Sequence, residues 1–217
     1  MSIARAAIPL LLAICTPIAR SAVAQSAAAE IWPEIDVYWT PAEHQRSFLE
    51  LSASTEREGS KREATIGLYQ DYLMLPRGYL RAGYRFTFST RDASYRESRA
   101  VLEATYGVGA PFALRLVNRL RPELRWVNGG YSYRVRERVH LQRLAGQPTG
   151  RAWSPYGTFE VYYDSRFDAL ARIAGRVGME VRLRRPMSLD VFLARQNNSR
   201  PERTYVNALG TVLKLTY

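Results

Sequence analysis

The side chains with the greatest chemical capacity in this sequence form a ladder of arginines and carboxylates. Arg115, Arg119, Arg121, Glu123 and Arg125 share one parity of a single run, and Arg134, Arg136 and Arg138 share one parity of the next. Arg81, Arg85, Arg99, Arg172, Arg176 and Arg182 recur in the same setting, interleaved with Glu50, Glu63, Asp71, Glu97, Glu103, Glu160, Glu180 and Asp190. Of 31 basic residues only Lys61 and Lys214 are lysines. A guanidinium keeps its charge away from water and offers a planar fork that matches a carboxylate. So strong a bias towards Arg points to ion pairing at sites shielded from solvent, rather than to an ordinary wet surface.

Catalytic chemistry is poorly supported. A lipid hydrolase needs Ser and His in hydrogen-bond reach. Ser132 and His140 share a face but lie eight residues apart, about 26 Å along a strand at ~3.3 Å per residue. No G-x-S-x-G occurs, and Gly129-Gly130 reads as a hairpin turn. His44 falls in a connection, and Asp164 and Asp168 flank a loop without further acids to make an aspartic-type site. With one Cys and two His, neither a disulfide framework nor a metal centre is expected, and no cofactor is implied.

The elements that must position the ladder are strands. Period-two alternation recurs along the chain: Leu80, Ala82, Tyr84, Phe86 and Phe88 against Arg81, Gly83, Arg85, Thr87 and Ser89, and Ile173, Val177, Met179, Val181 and Leu183 against Arg172, Arg176, Glu180 and Arg182. Eleven strand-like segments are expected near 34–40, 46–56, 62–74, 78–90, 95–107, 112–126, 131–143, 153–164, 170–184, 186–196 and 204–217, the first being the weakest. Short connections such as LPRG and RRPM alternate with polar ones such as TRDASY and NNSRPER, as in an up-and-down meander. Single-chain bacterial barrels have even strand numbers, so ten or twelve strands are expected.

Residues 1–24 read as a cleaved secretory signal peptide: an apolar core at Ala6–Cys15 precedes the small residues Ala22-Val23-Ala24. Residues 25–217 then form a single domain. No apolar run approaches the ~20 residues of a spanning helix. Export, alternation and aromatics near strand ends on the apolar face (Trp39, Phe88, Tyr106, Trp126, Tyr131, Tyr133, Tyr163 and the terminal Tyr217) favour an all-β, up-and-down antiparallel transmembrane barrel of the outer membrane. The alternative is a soluble periplasmic sandwich or lipocalin-like barrel. Glu137 breaks the apolar set Tyr131, Tyr133, Val135, Val139 and Leu141, so either a bulge turns it inward or that strand end lies above the membrane. The expected partners are outer-membrane lipid and the barrel-assembly machinery. The +11 net charge does not imply nucleic acid, because the Arg residues alternate with Glu on strand faces of an exported chain.

The string N-R-L-R-P-E-L-R-W (118–126), followed by Y-S-Y-R-V-R (131–136), stands out, with R-E-S-R (96–99), Pro155-Tyr156 before Phe159-Glu160, and R-x-x-G-R-V-G (172–178) in support. In order and phasing these resemble the proteobacterial outer-membrane family catalogued as domain of unknown function 2490, over roughly residues 31–217. The resemblance implies an outer-membrane barrel with no established activity, and it carries over no catalytic or binding residue.

Two functions fit. In a closed structural barrel, the Arg–Glu pairs are themselves the core. Alternatively, thirteen inward Arg against nine inward carboxylates leave a surplus of about four positive charges, which would make a small anion-preferring channel for acidic solutes such as acidic oligosaccharides. That design resembles the small Arg-lined monomeric porins. A turn at 107–111 would place Glu103 nearest Arg115 and Glu97 near Arg121 or Arg119; across the next turn, Glu123 would oppose the region of Arg134.

Overall fold

In the computed structural model, residues 28–56, 62–75, 77–91, 94–144, 152–199 and 205–217 are described; the expected signal peptide lies outside them. Each segment with period-two patterning forms a strand: β1 (Ala28–Ala42), β2 (Gln45–Glu56), β3 (Arg62–Leu75), β4 (Gly78–Ser89), β5 (Arg96–Ala110), β6 (Leu114–Val127), β7 (Gly130–Arg143), β8 (Trp153–Asp164), β9 (Ala169–Arg184), β10 (Met187–Asn198) and β11 (Tyr205–Thr216). Each strand pairs antiparallel with its sequence neighbours, and the sheet closes into a barrel.

Among the described residues the barrel has eleven strands, not ten or twelve. An odd meander leaves its first and last strands pointing the same way, so the barrel closes through a parallel ladder between β1 and β11, from Ala28↔Val206 to Tyr38↔Thr216. Parallel pairing is only slightly less stable per residue than antiparallel, and this seam is continuous. The even-number expectation assumed antiparallel closure. It also undervalued β1, which is longer than the expected 34–40 segment.

The two faces of the wall are inverted relative to a soluble domain. Leu68, Leu102, Val177 and Leu193 are about 60 % exposed, whereas Glu97, Glu123, Glu160, Asp71 and Asp164 are at most 1 % exposed. Outward aromatics gather at the two rims. Trp126 lies against Tyr131 and Tyr133 against Tyr163 at one end, with ring centroids 5.7 and 5.9 Å apart; Trp39, Tyr72, Tyr106, Trp153 and Tyr217 are exposed towards the other.

Glu137 is outward. It pairs in register with Leu120 and Val161, with no bulge to turn it, and accepts a 3.2 Å hydrogen bond from Asn118 Nδ2.

Two inward rings are seated over glycines. A Cβ on Gly83 would stand 2.2 Å from the ring of its cross-strand neighbour Tyr69, and one on Gly210 would stand 2.0 Å from Phe192. The β6–β7 hairpin turns on Asn128 (φ 50°) and Gly129 (φ 87°), both in the left-handed region that a two-residue turn of this kind requires.

Candidate functional site

The inward faces of β4 to β8 carry most of the charge ladder, organised around four buried carboxylates. Glu160 on β8 accepts from Arg119 (3.1 Å), Arg136 (3.1 Å), Arg138 (2.9 Å) and the Tyr162 hydroxyl (2.8 Å). Glu103 on β5 accepts from Arg121 Nε at 2.6 Å, with Arg119 at 3.5 Å. Glu97 pairs with Arg99 and Arg125 and also accepts from the Tyr95 hydroxyl. Glu123 accepts from Arg136 at 3.0 Å, with Arg99 and Arg121 at 3.8 and 4.0 Å. Asp164 extends the network, bound to Arg125 (2.6 Å), Arg134 (2.9 Å) and the loop residue Arg166 (2.9 Å). In the loop ahead of β5, burial first and the Glu97 charge second push the Tyr95 phenol up to about 12, so it remains a donor.

Smaller units complete the ring. Asp71 bridges Arg81 and Arg46, each at 2.6 Å, and Arg81 stacks over the Phe48 ring at 4.6 Å. Glu50 accepts from the Tyr69 hydroxyl at 2.8 Å and pairs with Arg85 at 3.1 Å. On the far wall Lys214 reaches Glu180 at 2.6 Å and Asp190 at 3.8 Å. Arg172 donates to Asn198 Oδ1 at 2.8 Å, and Arg176 lies 4.9 Å over Phe192. A cavity of about 830 Å³ runs among these side chains.

Two expected members of the network stand apart from it. Arg115 and Arg182 keep the inward parity but are exposed near the strand ends, and Arg115 lies over Gly107. The expected pairing register is also corrected. The β5–β6 turn falls at 111–113, not at 107–111, so Thr105 opposes Arg119 and Glu97 opposes Val127. Glu103 therefore meets Arg121 rather than Arg115, and Glu97 meets Arg125 rather than Arg119 or Arg121. The opposition of Glu123 and Arg134 across the next turn is as expected.

Sequence reasoning missed the acidic inner face of β1. Glu30, Glu34 and Asp36 line the cavity together with Trp32 and Tyr38. With Asp164, they reduce the surplus of positive charge counted from the sequence, although Arg46, Arg166 and Lys214, which that count left out, line the cavity as well. Their alternation against Ile31, Pro33, Ile35 and Val37 was available as a signal.

The residues considered for catalysis do not converge. His140 Nδ1 is 3.1 Å from Thr158 Oγ1, while Ser132 lies near the opposite end of β7. Asp164 is held by arginines, and Asp168 accepts from the Tyr163 hydroxyl at 2.6 Å. His44 sits in the β1–β2 turn, where its carbonyl accepts from the Leu73 amide.

Comparison with protein families matches residues 32–207 to the family described as Protein of unknown function (DUF2490). This chain belongs to that family. The matched stretch runs from the inward Trp32 of β1 into β11, so the DUF2490 pattern takes in nearly the whole barrel wall and the charge network inside it. No curated protein and no solved structure matches the chain. Within the DUF2490 family this member is a closed β-barrel of unknown function with buried Arg–Glu ion pairs.

Proposed function

We propose that this protein is a non-enzymatic β-barrel of the bacterial outer membrane, exported with residues 1–24 as a cleaved signal peptide. Its cross-linked interior makes it a rigid structural or envelope-interacting element, with outer-membrane lipid and the barrel-assembly machinery as its partners. The observation that carries this reading is the inverted wall. A ring of residues such as Leu68, Leu102, Val177 and Leu193 faces outward while the carboxylates and guanidiniums face inward. In water that arrangement would expose a continuous apolar surface far larger than a soluble monomer tolerates. In lipid it is the favourable one, since a closed barrel leaves no backbone group of the sheet unpaired. The aromatics at both rims suit the two membrane–water interfaces.

A second reading, passage of small anionic solutes, is favoured by the Arg-lined cavity of about 830 Å³. It is weakened by the acids of β1, which reduce the net charge of the lumen. Refolding the mature chain into detergent micelles and comparing boiled with unboiled samples on a gel tests the barrel. A mobility shift on heating is expected, and full solubility without detergent would overturn the membrane assignment. Planar-bilayer recording then separates the readings. No stepwise conductance is expected from the paired interior, whereas steps with anion preference would establish the channel.

A further inference from the structure

The basic residues left out of the lumen network collect at one end of the barrel. The β1–β2, β3–β4, β5–β6, β7–β8 and β9–β10 connections all lie at that end. Arg77, Arg115, Arg143, Arg182, Arg184 and Arg185 are exposed there, at strand ends or in turns. Among the described residues none of them has a carboxylate within ion-pair distance. Like charges gathered on one rim and unmatched within the chain give that end a positive field towards solvent.

Three of these arginines surround the β5–β6 turn. The Arg77 carbonyl accepts from the Gly107 amide at 2.8 Å. The Arg115 guanidinium lies over the same glycine, its Nε 3.1 Å from the place a Cβ would take. Arg143 pairs with Leu114 at the foot of the turn, and the next residue, Leu144, donates its amide to the Ala113 carbonyl at 2.7 Å. Backbone contacts thus hold the three residues around one turn, while their charges stay unpaired.

The tip of that turn is a largely uncovered aromatic ring. Phe112 is 84 % exposed, and Leu144 beside the turn is 45 % exposed. Phe112 (φ 62°) and Ala113 (φ 56°) both stand in the left-handed region, which the β6–β7 hairpin fills with Asn128 and Gly129. A bulky side chain is disfavoured there, and backbone strain of this kind gathers at binding and switch regions. The ring is not one of the girdle aromatics. From the outward Tyr106 to Ala110, the last residue of β5, the strand runs about 13 Å at ~3.3 Å per residue and carries the turn clear of the apolar band.

We propose that this turn docks an acidic polypeptide segment of a second protein, one that carries apolar side chains among its carboxylates. The apolar side chains pack on Phe112 and Leu144, and the carboxylates take the guanidiniums of Arg77, Arg115 and Arg143. A guanidinium fork matches a carboxylate, and aromatic residues and Arg are the side chains enriched at protein interfaces. Anionic lipid headgroups fit less well, because they would leave the Phe112 ring in water. Arg182, Arg184 and Arg185 on the same rim add to the field that steers an acidic partner. The proposal deepens the envelope-interacting reading above and rests on it.

Fluorescence-anisotropy titration of the detergent-folded barrel with short labelled peptides tests it, with empty micelles as the blank. Three peptides are compared: alternating Glu and Leu, alternating Glu and Ser, and alternating Lys and Leu. The Glu–Leu peptide should bind about tenfold or more tighter than either of the others, since a charged hydrogen bond or a buried apolar side chain is each worth at least that factor. Phe112→Asn and Arg115→Gln should each weaken the Glu–Leu peptide by about tenfold. Both variants should keep the heat shift on gels, and Phe112→Asn should melt no lower than the wild type, because Asn adopts the left-handed region more readily than Phe. Equal binding of the three peptides, binding of none, or a Glu–Leu affinity unchanged by Phe112→Asn would overturn the proposal. Short-chain phosphatidylglycerol displacing the labelled peptide as well as unlabelled Glu–Leu peptide does would mean a lipid-headgroup site and overturn it too. Loss of the heat shift in the wild-type chain would instead remove the membrane barrel, a failure distinguishable from a folded barrel that binds no peptide.

Discussion

Replacing Glu160 by Gln is the sharpest probe of how the interior is held. The carboxylate is 1 % exposed and is the shared acceptor of Arg119, Arg136 and Arg138, with N–O distances of 3.1, 3.0 and 2.9 Å. Gln nearly preserves the volume and retains one carbonyl acceptor, so the change removes charge rather than packing. It leaves three guanidiniums within one small region: Arg136 keeps Glu123 at 3.0 Å and Arg119 keeps Glu103 at 3.5 Å, while Arg138 keeps no carboxylate within ion-pair distance among the described residues. Breaking a buried pair by removing one partner costs about 3–5 kcal/mol, because the remaining charge stays desolvated. For a chain of this size 1 kcal/mol corresponds to roughly 2–4 °C, so the midpoint of heat modification should fall by about 6–20 °C. The assay is a series of gel samples heated in detergent, with circular dichroism as a second measure. Adding Arg138→Gln removes one surplus cation and should restore part of the loss. If Glu160→Gln melts with the wild type, the lumen is screened by water, and the ion-paired core is the wrong description.

Three further outcomes follow from the same geometry. Val177→Arg puts a charge on a 62 % exposed outward site in β9 and should abolish assembly into detergent or lipid, at a cost of roughly 2–4 kcal/mol; Thr105→Arg, on the inward parity beside Glu103, should still fold by the same heat-shift assay. Glu137→Leu should raise the melting temperature of the lipid-embedded barrel, because it removes an outward carboxylate held, among the described residues, by Asn118; an unchanged or lower value would mean that this site meets water or a protein partner. Tyr217→Asp should slow insertion into bilayers, measured as the folded fraction over time, since the side chain is 69 % exposed at the rim; the Tyr217 amide bond to the Tyr38 carbonyl at 2.9 Å does not depend on the side chain.

Strand positions and the two faces were legible in the sequence by itself, for a simple reason. Side chains alternate at a period of two, and here each wall position meets either the outer surface or the lumen. Eleven patterned segments therefore became eleven strands, and Glu97, Glu103, Glu123 and Glu160 were identifiable as inward. The tertiary structure alone decided what those residues touch. Ion pairing depends on where each hairpin turns, and a β5–β6 turn later than expected moved Glu103 from Arg115 to Arg121. Residues at strand ends, such as Arg115 and Arg182, keep the right parity yet reach the open rim, because parity says nothing of depth. The parallel seam between β1 and β11 joins residues nearly the whole chain apart, and no local pattern encodes that closure. It is this seam that brings the acids of β1 beside β11 and Lys214, and so adds carboxylates to a lumen that read as an arginine surplus.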